Sequence, residues 1–149
     1  MKVVYDLASE LATNPERVSK TQAMTLNANM PFLGLRGAHG LFASPDWWTN
    51  LSNGLIATEV RAGTIEKLFF AGQDARWGDE VNSYSLRADD GALADESIVV
   101  NEKADRRLFQ VGSRVQLCYA LDELKKQPGS NGAVNYARVL LEVSVSPAP

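Results

Sequence analysis

One cysteine and one histidine among 149 residues remove several chemistries at the outset. Cys118 has no partner for an internal disulfide, and a lone thiol fits a reducing compartment. Zinc draws at least three protein ligands, usually Cys or His, so no resident metal is expected. A basic excess is missing as well: fifteen Lys and Arg stand against eighteen Asp and Glu, a formal charge of -3. Affinity for nucleic acid rests on cation–phosphate contacts, so that partner is disfavoured. No apolar run approaches the ~18 residues of a membrane helix. The start, Met1 to Leu7, lacks the apolar core of an export signal. A cytoplasmic location without a membrane partner is therefore the expectation. Walker loops, His-Glu-x-x-His and Gly-x-Ser-x-Gly patterns are absent, and no cofactor is expected.

What is present suits a folded domain. Hydrophobic residues make up 45% and charged residues 22%, enough apolar matter to exclude a wholly disordered chain. Residues 1–30 stand apart from the rest. Leu7 and Leu11 with Ala8 and Ala12 recur at helical spacing from Tyr5 to Thr13, and Asn14-Pro15 can cap and start a second helix over Glu16 to Ala23. This stretch reads as an N-terminal arm, not an independent domain. Residues 31–146 read as a β-barrel domain and 147–149 as a tail.

The clearest helix follows a glycine-rich entry. Ser44 caps, Pro45 takes the first position, Asp46 meets the positive end of the dipole, and Gly54 stops a two-turn helix over 45–53. From Leu55 the period becomes two. Ile56 to Ala62 and Thr64 to Ala71 read as a hairpin turning at Gly63, and Asp89-Asp90-Gly91 marks another hairpin with Ile98 to Asn101 returning. Arg107 to Val111 reads as a short extended piece. Val115, Leu117, Tyr119 and Leu121 share one strand face, and Ala137, Val139, Leu141, Val143 and Val145 another. No ten-residue amphipathic helix separates the strands, so the fold class is mainly β: a small antiparallel barrel of six or seven strands, OB- or SH3-like in size, with a short helical arm and the helix at 45–53.

Three functional readings compete. The leading one is a non-catalytic binding or assembly module for an unidentified protein or small-molecule ligand. Its aromatic-rich contact surface comprises Trp47, Trp48, Gln73, Asp74, Arg76 and Trp77, because indoles dominate recognition surfaces. Adjacent helical tryptophans lie about 100° apart, so one packs inward and the other meets the rim. Edge strands and the arm offer a route to self-association, making a homo-oligomer an expectation. The second reading is a small enzyme or ligand-binding barrel with a site at one mouth, pairing His39 with Asp46, Asp74 or Asp79 for acid–base work. The third is an OB-like single-stranded nucleic-acid binder stacking bases on Tyr84, Phe109 and Tyr119, against which the acidic composition weighs.

Overall fold

The computed structural model describes residues 1–72, 80–129 and 131–148. The elements in chain order are β1 (Lys2–Asp6), α1 (Leu7–Thr13), α2 (Pro15–Leu26), α3 (Pro45–Ser52), β2 (Thr58–Phe69), β3 (Ser83–Ala88), β4 (Leu93–Ser97), a 3-10 helix (Lys103–Leu108), β5 (Arg114–Glu123) and β6 (Tyr136–Val145). The strands form one six-stranded sheet of order β1-β6-β5-β2-β3-β4. The class is mainly β, an antiparallel, small-barrel-like sheet with a few short helices, as the alternating pattern implies. Two compact units divide the chain: Met1–Asp6, Val60–Cys118 and Glu142–Pro149 in the first, Leu7–Glu59 and Tyr119–Leu141 in the second.

In the first unit, β1 runs antiparallel to β6, with Lys2 opposite Val145 and Asp6 opposite Glu142. Residues 1–30, expected as a helical arm, thus open with an edge strand. The far side of β1 is capped by Asn101. Its main-chain N–H donates to the Val4 carbonyl at 2.9 Å, and its side-chain amide accepts from the Asp6 N–H at 2.8 Å and donates to the Asp6 carbonyl at 3.3 Å. One asparagine thereby satisfies three of the backbone groups that this edge would otherwise expose. Tyr84, Leu86, Ile65, Val115 and Leu117 are buried, and Phe109 lies 5.4 Å from the Tyr84 ring.

The structure corrects several boundaries. Gly63 is no turn: β2 runs unbroken through it, and a Cβ there would overlap the Arg87 carbonyl oxygen of β3. Glycine in a strand interior marks this kind of close backbone approach. The strand returning from Asp89-Asp90-Gly91 starts at Leu93 rather than Ile98, since Asp90 Oδ1 accepts the Ala92 N–H at 2.9 Å and closes the turn at once. The expected extended piece at Arg107 to Val111 begins inside the 3-10 helix, which holds Arg107 and Leu108, and Phe109 beyond it is extended. Tyr84, Phe109 and Tyr119 are all buried, so they offer bases no stacking platform. β5 also breaks its alternation. Val115, Leu117 and Tyr119 are buried, and then Ala120 and Asp122, while Leu121 is half-buried.

The second unit gathers the helices. Leu7 and Leu11, one turn apart on α1, are buried with Phe42, Trp47, Ile56 and Val139 in one apolar cluster. α2 buries no residue fully, consistent with its thin apolar stripe, and Asn14 makes no side-chain cap bond to it. Helix α3 follows its sequence signals: Ser44 Oγ accepts the Trp47 N–H at 3.3 Å, and Pro45 occupies the first position. No helix among the described residues is long and apolar enough to cross a membrane.

Candidate binding surface

Helix α3 sends its two indoles to different environments. Trp47 is fully buried, packed edge-on against Phe42 with ring centroids 5.3 Å apart. Its indole Nε1 donates to Asp122 Oδ2 at 2.9 Å. Trp48 stands nearly perpendicular to Trp47, centroids 4.9 Å apart and planes at 87°, and remains half-buried. Trp48, Thr49, Ser52 and Asn53 line an open depression of about 420 Å³. An indole fixed edge-on against a buried neighbour loses little freedom on binding, the property of an aromatic anchor.

Asp122 is a buried carboxylate that the alternation of β5 assigned to no role. Burial raises its pKa above the ordinary aspartate range, while the Trp47 indole, a hydrogen bond from the Glu123 backbone and the nearby His39 pull it back down. The carboxyl group is thus an internal acceptor for Trp47. His39 itself is half-buried. Its carbonyl accepts from Asn50 Nδ2 at 2.9 Å, tying the glycine loop to α3. Gly40 permits that approach: it has a φ of 106°, and a Cβ there would stand 2.8 Å from the Trp47 backbone nitrogen.

Of the acids paired with His39 in the sequence, Asp46 is exposed in the first turn of α3. Asp74 and Asp79 lie outside the described residues, as do Gln73, Arg76 and Trp77 of the expected contact surface. His39 acts instead on Asp122, whose pKa it lowers. Among the described residues no cluster of three or more His, Cys, Asp or Glu could hold a metal ion.

Sequence reasoning missed a second surface. Leu26, Met30, Phe32 and Leu33 are 69%, 42%, 50% and 52% exposed, an unusual density of large apolar groups on so short a stretch. The turn bearing them is pinned from beneath. Lys125 Nζ donates to the carbonyls of Met24 at 2.7 Å, Asn27 at 3.4 Å and Met30 at 2.9 Å, and Gln127 Nε2 donates to that of Phe32 at 2.7 Å. The main chain adds Lys125 N–H to Gly34 O at 3.1 Å and Arg36 N–H to Glu123 O at 2.8 Å. In sequence, Met30-Pro31-Phe32-Leu33 was the available signal, but its anchor lies almost a hundred residues away.

A mainly β chain whose second unit holds out an immobilised indole and a pinned apolar turn has features of a protein-binding module. Residues 1–146 match the family model for Immunity protein RhsI2, and the chain belongs to that family. Membership in an immunity protein family supports a protein-binding role. No curated protein matches the chain.

Proposed function

We propose that this chain neutralises an Rhs toxin by binding it as a non-catalytic module, with the Trp48 face of α3 and the apolar turn at residues 26–33 supplying anchor contacts. The observation that carries the reading is the pinned turn. Four large apolar side chains are held in water on a turn whose carbonyls at Met24, Asn27, Met30 and Phe32 are bonded by a lysine and a glutamine. Exposing such groups gains the isolated chain nothing, whereas fixing them in advance lowers the ordering cost of association. The family match and the Trp48 depression support the same conclusion.

Titration calorimetry against an Rhs toxin domain tests this. Trp48→Ala and the double variant Phe32→Ser/Leu33→Ser are each expected to weaken binding by about 30-fold or more, the loss of a hot spot of roughly 2 kcal/mol. Circular dichroism checks that both variants keep the fold. Unchanged affinity in both refutes this assignment of the contact surface.

A further inference from the structure

The two ends of the sheet are treated differently. Asn101 covers the outer side of β1, whereas β4 ends the sheet with nothing bonded to its far side among the described residues. Hydrogen-bond parity shows which groups are left over. Ala88 N–H donates to Ala92 O, and Ile98 N–H to Asn82 O, both at 2.8 Å. Leu86 opposite Ala94 and Tyr84 opposite Glu96 continue the same register. The even-numbered residues therefore bond to β3. The N–H and C=O groups of Leu93, Asp95 and Ser97 point outward.

Charge indicates what kind of strand fits there. The hairpin from Ser83 to Ser97 holds Asp89, Asp90, Asp95 and Glu96 against a single cation, Arg87. Asp89 is paired with Arg114 at 2.6 Å and Glu96 with Arg61 at 3.3 Å. Asp90 and Asp95 have no cationic partner among the described residues. Asp95 accepts from Ser85 Oγ at 2.7 Å. A second copy fits this edge poorly: in the antiparallel register that overlaps the whole strand, Asp95 lies opposite its own copy, and like charges facing across strands are destabilising. A strand carrying Lys or Arg at the facing position gains where a second copy loses.

We propose that β4 is a docking edge that accepts an extended, basic segment of the toxin as an added antiparallel strand, bonded to the outward groups of Leu93, Asp95 and Ser97. This rests on the toxin-binding reading above. Leu93, 53% exposed, adds an apolar contact at one end of the edge.

Amide hydrogen exchange on the chain alone and in complex with an Rhs toxin domain tests it. The amides of Leu93, Asp95 and Ser97 are expected to exchange fast in the free chain and to slow at least tenfold in the complex. Those of Ala94 and Glu96 are slow in both. Ser97→Pro removes one outward donor and no ladder bond, and Asp95→Lys reverses the facing charge; each is expected to weaken binding about tenfold or more. A complex that forms while the three amides stay fast overturns the docking edge and leaves toxin binding standing. No complex at all overturns both. Protection that rises with the concentration of the chain alone assigns the edge to a second copy and overturns the proposal.

Discussion

Replacing Trp47 by Phe separates the contribution of the buried indole from that of ring packing. The substitution removes about 40 Å³ of side chain, on the order of 1 kcal/mol at roughly 24 cal/mol per Å³ of cavity. It also deletes the Nε1–H that meets Asp122 at 2.9 Å. Leaving that buried acceptor short of a donor adds about 1–3 kcal/mol. The expected loss is about 2–4 kcal/mol, or at least about 5 °C in Tm for a chain of this size. Asp122→Asn alone keeps an oxygen for the indole and removes the charge that burial disfavours. Because the folded carboxyl has a raised pKa, its contribution is most favourable when protonated, below the unfolded aspartate range, and is lost as pH rises through the folded value. Stability of the native chain relative to Asp122→Asn should therefore fall from acid to neutral pH. Urea denaturation at pH 4 and pH 7 measures both effects. A Trp47→Phe variant within about 1 kcal/mol of the native chain at pH 7, or a native-minus-variant difference that grows with pH, refutes the reasoning.

Further outcomes follow from the same contacts. Lys125→Met removes the ammonium bonded to the carbonyls of Met24, Asn27 and Met30; unfolding free energy should drop by about 1–3 kcal/mol and amide exchange over residues 27–33 should quicken. Gly63→Ala forces a methyl group onto the Arg87 carbonyl, so a loss of about 2 kcal/mol or more is expected in thermal melts. Trp48→Ala should cost more in toxin binding than Trp47→Phe, because part of the Trp48 ring stays accessible while Trp47 is fully buried.

The sequence disclosed elements whose signals are local. Ser44, Pro45 and Gly54 bracket α3, and Asp89-Asp90-Gly91 marks the hairpin of β3 and β4, because caps and turns depend on neighbouring residues. It misled where a distant partner decides. Gly63 has the composition of a turn, yet the backbone of β3 claims the space a side chain would need. Tyr5 fell within the helical pattern, and Val3 and Val4 within the arm, because nothing local announces the pairing of β1 with β6. At the candidate surface the split between Trp47 and Trp48 was legible from helical geometry alone. The role of Asp122 and the turn fastened by Lys125 were not, since both depend on contacts across 75 residues or more.

The change of buried parity along β5 gives that strand a phase. Tyr119 and Ala120 are consecutive and both buried, so burial passes from the odd positions before them to the even positions after them. Deleting or inserting one residue upstream of this point would rotate Val115 and Leu117 into solvent while sparing Ala120 and Asp122; downstream, the harm would be reversed. Substitutions in β5 can be judged one side chain at a time, but a length change is a frameshift of the fold.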